Sequence, residues 1–184
     1  SLGNAICKAT TKLKFIVHPL PKIELADNEL VCTNLPNLFR TLTAGIQDGS
    51  SPANYTYSWT KDGIVIPTAS LSTLDINVQG VYTVKVTNAF GCSSTRTITV
   101  VASEIAHFNA TTIIDLSDIN INTVTVNVTG QGDYEYSIDS GAFQSSNVFH
   151  NVPAGIHEIA VKDNHGCGIA TQTISVIGAP PYFT

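Results

Sequence analysis

The sequence predicts an all-β protein built from antiparallel β-sandwich modules in tandem, and three observations carry that prediction. The first is composition. Only 12% of the 184 residues are charged, against roughly 25% in ordinary globular domains, and Thr, Ser, Asn, Val and Ile take their place. β-branched side chains suit a pleated surface, and short polar ones suit the turns between strands. The second is periodicity. Apolar residues alternate over short runs, turn signals return roughly every 8–12 residues, and no segment keeps a helical apolar period for three turns. The third is an internal repeat. Gly80-Val-Tyr-Thr-Val-Lys-Val-Thr-Asn-Ala-Phe-Gly-Cys92 returns 75 positions later as Gly155-Ile-His-Glu-Ile-Ala-Val-Lys-Asp-Asn-His-Gly-Cys167.

In chain order, Asn4-Ala-Ile-Cys7 followed by Leu13, Phe15 and Val17 is a half-copy of the pattern at Cys92, Ile98 and Val100. Residues 1–18 are therefore expected as the last strand of a preceding, truncated module. With no methionine and no apolar leader, the chain reads as processed or excised from something longer. His18-Pro19-Leu20-Pro21 ends that strand, since proline offers the ladder no donor, and module one is expected over 19–102. Tyr55, Tyr57 and Trp59 share one face by period two and run into Lys61-Asp62-Gly63, a hairpin signal. Trp59 and Tyr82 are the expected structural core. Leu74, Ile76 and Val78 form the next strand, and Gly80–Cys92 enters the final hairpin.

Val101-Ala-Ser-Glu104 is the second linker, so module two is expected over 103–180, with 181–184 opening a linker to a further domain. There Val124, Val126 and Val128 make one strand. Tyr134, Tyr136 and Ile138 match Tyr55, Tyr57 and Trp59, and the turn after them is closed by Gly141. Beyond Cys167 the apolar positions Ile174 and Val176 fall one residue late, with Gly168 marking a bulge. Short linkers make the modules a semi-rigid rod.

Cys32 and Cys92 are the two cysteines within one complete module. A disulfide between them would tie the start of module one to its last hairpin; two buried thiols are the alternative. Cys167 is the counterpart of Cys92, but module two opens Ile105-Ala-His-Phe-Asn-Ala without a counterpart of Cys32. Cys7 and Cys167 are thus expected unpaired. His165 beside Cys167 suggests a reactive thiol less than it suggests a hairpin turn, because the pair copies Phe90 and Cys92.

Several functions are excluded or left without support. A net charge of −5 and nine scattered Lys and Arg give no phosphate-binding surface, so nucleic acid is not expected. No apolar run is long enough to span a bilayer, and membrane insertion is not expected. Asp115-Leu-Ser-Asp-Ile-Asn120 lacks the spacing and closing glutamate of a calcium loop. The five histidines show no metal-ligand spacing, and His157, in the place of Tyr82, reads as packing. With no nucleophile elbow, phosphate loop or paired glutamates, no catalytic residue and no cofactor are expected. Tyr134, Tyr136 and Phe143 are candidate glycan contacts, since sugars stack on aromatic faces. Asn-x-Thr triplets begin at Asn54, Asn109 and Asn127; in a eukaryotic secreted protein they would be glycan acceptors, and in a bacterial one they are what Thr- and Asn-rich strands produce by chance.

At Trp59, Gly80, Tyr82 and the last hairpin the chain resembles immunoglobulin-like and polycystic-kidney-disease-type modules, and Gly80-Val-Tyr82 resembles a tyrosine corner. It departs from true immunoglobulins in placing Val84 where their strand-F cysteine would be. Val126-Asn-Val-Thr-Gly130, Tyr134-Glu-Tyr-Ser-Ile138, Val152-Pro-Ala-Gly155 and Val161-Lys-Asp-Asn-His-Gly-Cys167 are similar to the adhesin repeat of surface and secreted proteins from gliding Bacteroidetes. Ala179-Pro-Pro-Tyr-Phe-Thr184 resembles the lead-in to their type IX secretion sorting domain. The resemblance implies an extracellular or outer-surface, non-enzymatic protein, whose modules act as spacers or adhesion units. Their partners would be neighbouring modules and a surface polysaccharide or protein ligand. A carbohydrate-binding accessory region of a polysaccharide-degrading enzyme is the alternative.

Overall fold

The structure, a computed structural model, describes residues 11–114 and 122–178. Residues 11–18 form no strand, and Leu13, Phe15 and Val17 are exposed to solvent. Their alternation has the pattern of a half-buried strand, but a strand needs a neighbour to pair with, and none faces them among the described residues. Cys7 and Asp115–Asn120 lie outside those residues.

The first sandwich consists of β1 (Ala26–Cys32), β2 (Arg40–Thr43), β3 (Tyr55–Lys61), β4 (Ile64–Val65), β5 (Thr73–Ile76), β6 (Gly80–Asn88) and β7 (Ser93–Ser103). One sheet runs β1-β7-β6-β3-β4 and the other β2-β5. Every pairing is antiparallel except one: β1 lies parallel to β7, Ala26 opposite Thr97 and Cys32 opposite Ser103. That departure from the expected antiparallel scheme decides the disulfide described below. Alternation puts Trp59, Tyr82, Val84, Val86, Ile98 and Val100 on the inner face, where they pack with Val31 and Leu42 in one cluster. Trp59 is fully buried and donates its indole N–H to the Leu71 carbonyl at 2.9 Å. Tyr55 and Tyr57 pack at the edge of this cluster with their hydroxyls on Asp48 and the Pro52 carbonyl.

Two local devices shape this module. Asp62 and Gly63 both take positive φ, as the two-residue turn that matches strand twist requires. Asp62 also accepts the Val81 amide at 2.8 Å, tying the turn to β6. Arg96, almost fully buried, is held by Glu24 at 2.6 Å and Asp27 at 2.5 Å. Its guanidinium lies where a side chain on Gly45 would sit, and Gly45 has φ +67°, so only glycine fits there.

The second sandwich contains β8 (His107–Phe108), β9 (Thr112–Ile114), β10 (Asn122–Thr125), β11 (Val128–Thr129), β12 (Tyr134–Ile138), β13 (Val148–Val152), β14 (Gly155–Asp163) and β15 (Ile169–Val176). β13-β10-β9 and β12-β14-β15 are its main ladders, with β11 on β8. Its core is a separate cluster, from Ala106 to Val176, centred on Val124, Val126, Ile159 and Val161. The expected single strand through Val124, Val126 and Val128 is broken at Val126-Asn127, where it changes partners. Asparagine side chains bridge the break: Asn147 bonds the Val126 carbonyl at 2.8 Å and Asn127 the Ala110 carbonyl at 2.9 Å.

Gly141 closes the turn after β12, its amide donating to the Ile138 carbonyl at 2.9 Å, with Asp139 and Ser140 at positive φ between them. Gly168 marks no bulge: β14 and β15 pair without a register shift from Gly155–Val176 to Lys162–Ile169. The late apolar positions arise because this hairpin turn spans 163–168, one residue more than 88–92 in module one.

Candidate functional site: the junction between the modules

β7 does not stop where its module's core stops. It continues past Val100 to Ser103 with β1 alongside, and its register leads directly into module two. Thr33 donates its amide to the Ser103 carbonyl at 3.0 Å. The Asn34 carboxamide then acts as one more rung, donating to the Ile105 carbonyl at 3.0 Å and accepting the Ile105 amide at 3.1 Å. Glu104 accepts the Thr33 hydroxyl at 3.0 Å on one oxygen and the Gln131 amide at 3.2 Å on the other. Its backbone carbonyl takes the Tyr134 hydroxyl at 3.1 Å. The linker is thus hydrogen-bonded to both modules along its length.

Beneath it lies a buried carboxylate. Asp163, 2% exposed, accepts the fully buried Ser103 hydroxyl at 3.0 Å, the Asp133 amide at 3.2 Å and the Cys167 amide at 3.0 Å. His165 lies 3.5 Å from it and 3.2 Å from the Ser103 hydroxyl. Several donors on one carboxylate are what a buried charge needs when no Lys or Arg pairs with it. Gly168 completes the fit, since a side chain there would meet Ile105 at 2.9 Å.

The covalent element overturns the expected pairing. Cys32 is bonded to Cys167, with Cα atoms 5.5 Å apart, and Cys92 is a free, half-buried thiol. The reason is the parallel register. Cys32 lies opposite Ser103 at one end of β7, whereas Cys92 precedes Ser93 at the other. At ~3.3 Å per residue the two are roughly 30 Å apart, far beyond disulfide reach. Cys167, expected unpaired, is brought to Cys32 by the docked hairpin. The repeat aligns Cys92 with Cys167 but carries no sign of the parallel pairing that sends Cys32 across the junction.

The other singled-out residues are placed as follows. Tyr82 is buried and donates its hydroxyl to the Val78 carbonyl, four residues back, at 2.9 Å. His157 repeats that corner through Nε2 on the Pro153 carbonyl at 2.9 Å and adds Nδ1 on Asp139 at 2.6 Å. Tyr134 and Tyr136 pack against the core of module two, and Tyr134 is engaged by Glu104. Phe143 is half-buried under the Lys162 ammonium, 4.8 Å from its ring centre. Among the described residues no cluster of three His, Cys, Asp or Glu is arranged to hold a metal, and no helix is long and apolar enough to cross a membrane. A cleft of 330 Å³ lies beside the disulfide, where Leu38, Phe39 and the Arg40–Glu29 ion pair face His165.

Two acceptors around one imidazole favour its doubly protonated form. The bond to Asp139 raises the His157 pKa above 6.5, against the opposing effect of burial, and lowers that of Asp139 below 3.8. The histidine's contribution is complete below about pH 6.5 and is lost as pH rises through its raised value. The aspartate's is complete above about pH 4 and is lost as pH falls through its lowered one. The latch is therefore strongest between those limits. Asp139 is half exposed, so the effect is under about 1 kcal/mol. Module two should melt at lower temperature as pH rises from 6 to 9. His157→Tyr, restoring the module-one corner, should abolish that slope; calorimetry across pH checks both.

No family model and no curated protein matches this chain. Among solved structures it is similar to the N-terminal eight Ig domains of Down syndrome cell adhesion molecule, with a TM-score of 0.57 and 14% identity over 84% of this chain and 27% of that one. Sidekick-1 immunoglobulin domains 1–4 give 0.53 and 13% over 87% and 48%. The I-band fragment I67–I69 of titin gives 0.52 and 14% over 83% and 62%. The chain thus spans less than two thirds of each. At such identities the likeness concerns the fold, which is that of tandem immunoglobulin-like β-sandwiches.

Proposed function

We propose that the two modules are a non-catalytic, semi-rigid element of a larger extracellular or cell-surface protein, spacing or presenting what they are joined to. The observation that carries this reading is the junction itself, where a disulfide and a hydrogen-bonded linker hold one sandwich to the next. Beside that linker Ser103 and Asp163, both buried, bond each other and close the joint to solvent. The disulfide suits an oxidising compartment, and the phrases similar to Bacteroidetes adhesin repeats favour an outer bacterial surface reached by type IX export.

The experiment is solution scattering of the chain combined with a screen against polysaccharides and intact cell surfaces. One fixed inter-module arrangement with no saturable binding is the result expected of a spacer. Saturable binding to one glycan class, lost on substituting Phe39 or Phe143 by Ala, would replace it with a carbohydrate-binding role.

A further inference from the structure

The docking seen at the junction occurs a second time, at the other end of module one. There residues 18–21 lie on the hairpin turn 88–92 and the residues just after it. His18 stacks on Phe90 with ring centres 3.8 Å apart. Asn88 donates to the Pro19 carbonyl at 2.9 Å, and Ser94 to the Pro21 carbonyl at 2.7 Å. The Cys92 thiol points at the His18 carbonyl, 3.8 Å away.

The repeat aligns Asn88, Phe90 and Cys92 with Asp163, His165 and Cys167. The incoming segments align as well: His18 follows Cys7 by 11 residues, as Ser103 follows Cys92. His18 contacts Phe90 where Ser103 contacts His165. His18 therefore stands to Cys92 as Ser103 stands to Cys167. At the second junction the residue paired with Ser103 on the parallel first strand is Cys32, and it is bonded to Cys167. At the first junction Cys92 faces the corresponding place with a free thiol.

We propose that Cys92 is the receiving half of another inter-module disulfide, whose donor is a cysteine ending the first strand of a like module N-terminal to module one. The proposal rests on the tandem-array reading above. At the Cys32–Cys92 spacing the donor falls about 60 positions before Cys7. Each module would give a cysteine forward and receive one on its last hairpin; module two, without a counterpart of Cys32, only receives. The bond forms by exchange with an external disulfide, such as oxidised glutathione or a thiol oxidase. One thiolate attacks it, releasing one thiol and leaving a mixed disulfide, and the second cysteine displaces the other. The two protein thiols lose two protons and two electrons, and the external disulfide becomes two thiols.

The test is a linkage map of the full-length protein, alkylated with N-ethylmaleimide, digested unreduced and read by mass spectrometry. The expected result is Cys32 joined to Cys167, and Cys92 joined to a cysteine N-terminal to Cys7. In the Cys92→Ser variant that upstream cysteine should become alkylated while Cys32–Cys167 persists. Cys92 recovered alkylated, or bonded to Cys7 or Cys32, overturns the proposal, as does a Cys92→Ser variant that exposes no new thiol. If a like module does precede Cys7, those outcomes leave the array reading intact. Finding no like module there overturns both.

Discussion

Pulled from its two ends, the oxidised chain is expected to yield only the segments outside Cys32 and Cys167, because the load passes through the bond and bypasses the chain between them. A Cys32→Ser, Cys167→Ser variant should release the length hidden between them. The 135-residue separation corresponds to roughly 470 Å of extended chain, less the short distance the folded modules already span. Single-molecule force spectroscopy reads this as extra unfolding events. Equilibrium unfolding should respond too. Closing a loop of 135 residues is worth about 5 kcal/mol in the chain-entropy model. That figure applies when both sandwiches unfold together, since a module that stays folded already shortens the loop. Loss of the bond should therefore separate one broad thermal transition into two. An unchanged transition in the double variant would mean the hydrogen-bonded linker alone couples the modules.

Trp59→Ala should unfold module one selectively. The ring is wholly buried at the centre of the first cluster and its N–H is bonded to Leu71. Truncating such a residue costs about 3–5 kcal/mol, which is much of the stability of a domain this size. Module two has its own cluster and should keep its slow amide exchange while module one loses protection. Trp59→Phe should cost less, retaining most of the buried area but not the bond. Hydrogen exchange is the measurement, because Trp59 is the chain's single tryptophan and its fluorescence disappears with it. Wild-type protection throughout Trp59→Ala would remove Trp59 from its central role.

Much of this architecture can be read from residue order, for a specific reason. Period-two alternation through Val84 and Val86, or Ile159 and Val161, reflects a property of the backbone: successive side chains leave a strand on opposite faces. The turn at Asp62-Gly63 is likewise local, since positive φ restricts residue choice. The turn at Asp139-Ser140 is local in the same way, announced by the Gly141 whose amide closes it. The break at Val126-Asn127 was hidden because its bridging partners, Asn147 and Ala110, lie far along the chain.

The sequence by itself determined the fold class, the repeat, the matched hairpin cysteines and the inward faces that hold Trp59 and Tyr82, all consequences of short-range periodicity and turn chemistry. Tertiary structure alone decided the parallel pairing of β1 with β7, the burial of Ser103 against Asp163 and the bond from Cys32 to Cys167. Those depend on which strand neighbours which and in what direction. One-dimensional spacing carries no such information: it placed Cys32 and Cys92 in one module, and the register of a single parallel strand put them at opposite ends of it.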